Sequence, residues 1–349
     1  MASLTSVLKK GFTLFFVGSV LVGGVVGMIA FKFWLFLHAP GSSRLGIQEV
    51  TITAGMAAAQ VAKLLHAQGV IADEEAFGLL CWFDEAGHKL KAGSYAFLPL
   101  STPGQVLDQI VAGRAVIERV TFPEGVTMYE VAKTLEERGL AQAQEVLRLM
   151  TCPVFVVDNA VPGATLEGFL FPDTYFFQRN QSEAAMLKMM IRQFWRHLPE
   201  DWEQPAAKLG LGLHEIVIMA SMVEKEAAVD AERALIAGVF YNRLRERMPL
   251  QSDPTAVYDL PDFAGPITTT HLKRQSPYNT YRNQGLPVGP ICNPGAKSLN
   301  AALFPENTAY RYFVSKRDGT HQFSQTLVEH SQAVSHWRSK RVGEPPADP

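Results

Sequence analysis

Two carboxylates, Glu224 and Glu226, close an apolar run that begins at Ile216 and is broken only by Ser221. Such a run is the pattern of a helix buried on most of its sides. At about 100° per residue, Glu224 shares a stripe with Val217, Ala220 and Ser221, whereas Glu226 points nearly the opposite way. The spacing therefore predicts one enclosed carboxyl and one solvated one. A carboxyl held against an apolar wall keeps its proton near neutrality, and can give that proton to a glycosidic oxygen. An ordinary polar helix end has the same composition, so spacing alone leaves both readings open.

The chain that must position this helix has 349 residues, enough for two or three domains and a sizeable core. Its net charge of −2, with signs mixed along the chain, offers no basic field for nucleic acid. Cys81, Cys152 and Cys292 form no CxxC pair and no His/Cys spacing that suits zinc, so neither a metal nor another cofactor is expected. One disulfide at most is possible.

From Phe12 to Phe31 twenty positions pass without a charge, and apolar character continues to Leu37 with Lys32 as the one exception. At 1.5 Å per residue this crosses a hydrocarbon layer of roughly 30 Å. Lys9 and Lys10 precede it, which favours an inside N-terminus, and Lys32 can snorkel to the far interface beside Trp34. The run is long for a signal peptide and Leu37-His-Ala39 is a poor cleavage site. The expectation is a single-pass anchor over residues 11–37, with 1–10 cytoplasmic, a linker at 38–46, and the remainder outside.

The external part opens on an internal echo. Val50-Thr-Ile-Thr-Ala-Gly55, Val61-Ala-Lys and Gly69 recur seventy residues later as Val120-Thr-Phe-Pro-Glu-Gly125, Val131-Ala-Lys and Gly139. Each copy alternates, turns at glycine and switches to helical spacing, which predicts a strand followed by a helix. Between the copies, 90–97 is expected as a strand, and Thr102-Pro-Gly as the capped start of a helix. Units of this size resemble LysM-like modules, which bind cell-wall glycans. The expected class is α+β, with a LysM-like strand-helix subdomain at 47–118 and a mixed α+β catalytic domain at 119–349 that includes the second echo at 119–150. A small support domain with no ligand has the same pattern.

Thr165 to Phe177 gathers Phe169, Phe171, Tyr175, Phe176 and Phe177 around Glu167, Asp173 and Thr174. Ring faces with a few directed polar groups suit a sugar platform, and equally suit a buried hairpin. A helix over 182–197 carries a Met and aromatic stripe of core character. The helix begun near Asp230 is expected to turn Arg233, Arg243, Arg245 and Arg247 outward. Gln251-Ser-Asp-Pro254 should start a short helix, and Ser276–Tyr281 and Gly285–Gly295 are loops fixed by Gly and Pro, plausible as cleft walls. A hairpin from Tyr310 to Ser324 and a closing helix through Trp337 end the pattern. His321 and His330 are taken as structural.

The ordered set Leu166-Glu-Gly-Phe-Leu-Phe-Pro-Asp-Thr-Tyr175, Ala220-Ser-Met-Val-Glu-Lys-Glu226, Val239-Phe-Tyr-Asn-Arg-Leu244, Leu250-Gln-Ser-Asp-Pro-Thr255, Tyr278-Asn-Thr-Tyr281 and Gly285-Leu-Pro-Val-Gly289 resembles the endolytic murein transglycosylases, the YceG-like or membrane-bound lytic transglycosylase G family. The likeness covers nearly the whole chain. Ser252 stands where Thr is expected, Met222 where Ile is, and Cys292 where a small Ala is. The resemblance implies an inner-membrane enzyme with its catalytic part in the periplasm. It would cut the β-1,4 bond between N-acetylmuramic acid and N-acetylglucosamine in nascent peptidoglycan and leave a 1,6-anhydromuramic end. Peptidoglycan synthases, the penicillin-binding proteins, are the implied partners, and Glu224 matches the catalytic glutamate.

Such a reaction can run on one carboxyl group. Glu224 would protonate the leaving oxygen and then take the proton of the muramoyl 6-hydroxyl, a nucleophile already tethered to the reacting ring. Glu226 would be dispensable or supporting. Expected substrate contacts are Glu167, Phe171, Asp173, Tyr175, Gln251, Asp253, Tyr278 and Asn279. Two rivals stand beside this reading: a muramidase using Glu224 with Asp253 as second carboxylate, and a membrane-tethered glycan-binding scaffold for synthases.

Overall fold

The computed structural model describes residues 23–28, 30–38, 47–179, 181–260 and 263–339. The expected cytoplasmic N-terminus, the first half of the expected anchor and most of the expected linker lie outside the described residues. The anchor's second half falls in an apolar helix, Gly23–His38 (α1), and among the described residues no single helix is long and apolar enough to cross a membrane. The fold is mixed α+β, and the chain forms two compact units.

The first unit comprises Met1–Glu118 with Gln178–Asn180. Strand β1 (Gln48–Ile52) leads to α2 (Ala58–Ala67) and α3 (Glu74–Phe83), and the chain returns as β2 (Gly93–Phe97), antiparallel to β1 with Val50 opposite Tyr95. Helix α4 (Pro103–Ala112) follows, opened by a capping box in which Thr102 and Gln105 satisfy each other's backbone amides. Val50, Ile52, Val61, Leu65, Phe77, Tyr95 and Phe97 form the core.

The second unit, Arg119–Phe177 with Gln181–Pro349, repeats that plan before extending it. Strand β3 (Ile117–Thr121) is followed by α5 (Met128–Glu137), α6 (Ala143–Met150), the short α7 (Pro153–Asp158) and β4 (Thr174–Gln178), which pairs with β3. The echo in the sequence is thus an echo in structure. Val61, Ala62 and Leu65 of α2 are buried as Val131, Ala132 and Leu135 of α5 are. Gly55 and Gly125 both turn the chain with positive φ, at 86° and 78°, where a side chain would clash with its own carbonyl. The strand expected from Leu90 begins three residues later, at Gly93.

Beyond β4 the chain is helical: α8 (Glu183–His197) with Ser182 as cap, α9 (Glu203–Leu209), α10 (Leu213–Glu226), α11 (Arg233–Arg245), α12 (Thr269–Leu272) and α13 (Ala296–Leu303). A hairpin of β5 (Tyr312–Ser315) and β6 (His321–Ser324), on which α14 (Leu327–Ser339) packs, completes the unit. Helix α10 is its axis. Every residue from Ile216 to Val223 is buried, as the unbroken apolar run requires, with α11 and α13 packed alongside.

Candidate active site

Glu224 sits in the last turn of α10 with its side chain only 5% exposed. Arg233, the first residue of α11, donates from Nη1 to Glu224 Oε1 at 2.9 Å, and the backbone N–H of Gly295 donates to Oε2 at 2.9 Å. Arg233 is held in turn by Ser298 Oγ at 2.5 Å and Asp230 Oδ1 at 3.2 Å, with Glu124 at 3.9 Å. Lys297 also pairs with Asp230. The apolar wall expected around Glu224 is therefore absent: its oxygens face a guanidinium and an amide. Each carboxylate oxygen has a second lone pair beyond the one its donor uses, so the group can still carry a proton.

The opposite carboxyl departs from expectation the other way. Glu226 is not fully solvated: Ser252 Oγ donates to its Oε1 at 2.6 Å, and burial pushes its pKa up to about 7, against the pull of that hydrogen bond. The nearby Asp253 charge adds to the rise, and Arg243 opposes it.

Ser252 belongs to a turn sewn to the Ser276–Tyr281 loop. Gln251 N–H and Ser252 N–H donate to Thr280 O and Oγ1, and the Thr255 and Thr280 hydroxyls meet at 2.9 Å. Tyr281 OH donates to Asp253 Oδ1. Two motifs separated in the chain thus form one wall.

A second polar centre lies beneath. Glu167, 1% exposed, accepts from Met128 N–H at 2.9 Å, from Tyr258 OH at 2.7 Å and from Asn293 Nδ2 at 2.9 Å. Burial pushes its pKa up to about 7 while the Met128 and Tyr258 donors draw it back. Asn293 spends its amide completely, accepting from Gly168 and Leu170 and donating to Val126 O as well as Glu167. Its backbone exchanges two hydrogen bonds with the Gly125–Val126 turn, whose Gly125 lies against Glu224 Cγ and accepts from Lys225 Nζ. The Gly285–Gly295 loop is therefore the strap that joins Glu167 to Glu224.

Several expected substrate contacts prove to be framework. Glu167 is sealed and fully bonded. Phe171 is buried and stacks on His197 at 4.1 Å, and Tyr175 is buried with its hydroxyl donating to Phe171 O. Asn279 is wholly buried, donating to Leu272 O and Arg274 O, because a turn without regular structure needs side chains to satisfy its carbonyls. Asp173 accepts from Thr174 N–H and Gln193 Nε2. Gln251 and Asp253 are exposed, and Tyr278 is half-buried.

Arg233 and Arg243, expected to point outward, are 8% and 7% exposed. Arg243 donates inward to Arg311 O and Leu250 O. Arg233 had a legible signal: it heads the stripe Ile236, Ala237, Phe240 on α11, one and two turns on. Ser298, the Gly295 amide and Asn293 carried no comparable mark.

Comparison with known proteins places this geometry. A model of the YceG-like family matches residues 50–336. The endolytic murein transglycosylase of Bacillus subtilis (strain 168) is 32% identical over 308 residues, 84% of this chain and 85% of that protein. The endolytic murein transglycosylase of Streptococcus pneumoniae serotype 2 (strain D39) is 28% identical over 284 residues, 72% of this chain and 51% of its own length. The 2.6 Å crystal structure of a putative yceG-like protein, lmo1499, from Listeria monocytogenes superposes with a TM-score of 0.57 at 32% identity, over 82% of this chain and 98% of that one. With the family match spanning both the strand-helix echo and the helix that bears Glu224, the chain belongs to the YceG-like family.

Proposed function

We propose that this chain is a lytic transglycosylase that cuts within peptidoglycan glycan strands, with Glu224 as its single acid and base. The observation that carries the reading is the place of Glu224: a nearly enclosed carboxyl at the end of a buried helix, gripped from two sides by Arg233 and the Gly295 amide. In the first half-reaction the protonated Glu224 gives its proton to the oxygen linking N-acetylmuramic acid to N-acetylglucosamine. The bond to the anomeric carbon breaks as that proton arrives. In the second, Glu224 as carboxylate takes the proton of the muramoyl 6-hydroxyl, whose oxygen closes the 1,6-anhydro ring. Arg233 and Gly295 each donate to one Glu224 oxygen and so hold the group in place through both halves. A tethered nucleophile makes a positioned water unnecessary.

In this reading residues 11–37 anchor the chain in the inner membrane, the 47–118 region is a LysM-like module on the periplasmic side, and cutting of nascent strands beside peptidoglycan synthases ends their growth. The strand-helix-helix-strand order of the first unit supports the module. Mass spectrometry of digested sacculi tests the activity. Anhydromuramic ends from the native chain, lost with Glu224→Gln, are expected; reducing ends alone would make the chain a hydrolase, and no cleavage at all would leave it a scaffold.

A further inference from the structure

Three tyrosines from distant segments meet above the sealed Glu167. Tyr129 stands in the first turn of α5, Tyr258 follows the short helical turn Asp253–Ala256, and Tyr278 lies in the Ser276–Tyr281 loop. Ring centroids step 6.0 Å from Tyr129 to Tyr258 and 4.6 Å from Tyr258 to Tyr278, with planes inclined by 50° and 57°. The middle ring is pinned, because its hydroxyl donates to Glu167. The outer two are not: among the described residues neither the Tyr129 nor the Tyr278 hydroxyl has a hydrogen-bond partner, and Tyr129 is 40% exposed.

Packing does not demand the ring at Tyr129, whereas Tyr258 and Tyr278 also rest against the core. The repeat shows what α5 needs for its own fold, and at the position seventy residues before Tyr129 the first copy carries Ala59. The stripe that is buried in both copies lies on other positions. Nor is the row remote from the chemistry. Met128, beside Tyr129, donates to Glu167; Glu167 accepts from Asn293; and two residues further on, the Gly295 amide holds Glu224. Gly289 lies beside Tyr278, where a side chain would come within 3.4 Å of its hydroxyl.

We propose that Tyr129, Tyr258 and Tyr278 form a sugar-stacking subsite that holds one arm of the glycan strand beside Glu224. The proposal rests on the glycan-cutting reading above. Pyranose rings present C–H faces that pack on aromatic faces, while the free tyrosine hydroxyls are placed to bond ring hydroxyls or acetamido groups. A pinned central ring with a free hydroxyl on either side favours an extended stretch of strand over a compact ligand.

The test uses the full chain in detergent carrying Glu224→Gln, so that strands bind without being cut. The probe is chitotetraose, with peptide-free glycan strands as a second ligand, followed by calorimetry. Tyr129→Ala should weaken binding about tenfold with a nearly unchanged melting temperature. Tyr278→Ala should weaken it about tenfold and also lower the melting temperature, since that ring rests on the core, while Tyr278→Phe, which keeps the ring and the fold, should lose about threefold. In the native background Tyr129→Ala should raise KM and leave kcat nearly unmoved. Unchanged affinity in folded Tyr129→Ala and Tyr278→Ala variants overturns the subsite, as does absence of any glycan binding by the Glu224→Gln parent. Failure of the catalytic reading looks different: the native chain would bind strands and release no anhydromuramic ends.

Discussion

Arg233 and Glu224 form an ion pair across the turn between α10 and α11, with 2.9 Å between Nη1 and Oε1 and both side chains less than a tenth exposed. A cation so placed fixes the direction in which the Glu224 side chain points. Replacing Arg233 by Met strands Glu224 with one donor, the Gly295 amide. We expect kcat to fall by about 10- to 100-fold with KM little changed, and stability to drop by about 3 kcal/mol, because one half of an enclosed pair is left uncompensated. Arg233→Lys keeps the charge but not the fork that spans Glu224, Ser298 and Asp230, and should recover stability before activity. Steady-state kinetics and urea unfolding of both variants check this.

Glu226 predicts a pH dependence of stability. An unfolded glutamate titrates near 4.3 and this one is pushed up to about 7, so the folded state holds its proton over a window where the unfolded chain has released it. Stability from this source is complete below pH 4 and is lost as pH rises through 7. The melting temperature should therefore fall between pH 5 and 8, by an amount equivalent to about 5 kcal/mol at most for Glu226 and Glu167 together. Glu226→Gln preserves an acceptor for Ser252 and should flatten the curve; an unchanged slope would contradict the assignment.

Gly168 and Gly55 should respond very differently to alanine. Both have positive φ, at 87° and 86°. A methyl group on Gly168 would lie 2.6 Å from Val217 Cγ1 and 2.7 Å from Pro290 Cγ, between α10 and the strap that reaches Glu224, whereas one on Gly55 meets nothing within 4 Å. Gly168→Ala should cost about 2–4 kcal/mol and much of the activity, and Gly55→Ala about 1 kcal/mol and none. Thermal unfolding with parallel activity assays reads both.

Asn293→Asp isolates the strap. The carboxylate can still accept from Gly168 and Leu170 but cannot donate to Val126 O or Glu167, and it adds a charge beside a buried acid. A loss of about 3 kcal/mol or more is expected at pH 8, with partial recovery at pH 5. Equal stability at the two pH values would show that Glu167 is not the group being opposed.

What could be read from the residues was periodicity and punctuation. The matched positions of Val61 and Val131, the turns at Gly55 and Gly125, the capped start at Thr102 and the buried run of α10 are local patterns, and local patterns survive folding. Partners contributed from far along the chain were not legible. Glu167 and Asn279 have the residue types of ligand contacts, yet their polarity is spent on Met128 and on the carbonyls of Leu272 and Arg274. The charge of Arg233 points to solvent while its place on the apolar stripe of α11 points inward, and the ion pair with Glu224 decides for the second. Glu224 and Glu226 were separated by helical angle alone, whereas the groups that decide their environments, Gly295 and Ser252, arrive 71 and 26 residues later.

The two matched glycine turns also differ in what they tolerate from outside. An epitope tag spliced in after Gly55 enters open space, so the chain should stay folded and competent. The same tag after Gly125 would lever the turn off Glu224 and detach the Lys225 contact, leaving a chain that can be detected but does not cut. One module thus offers a reporter port, and its twin an off switch.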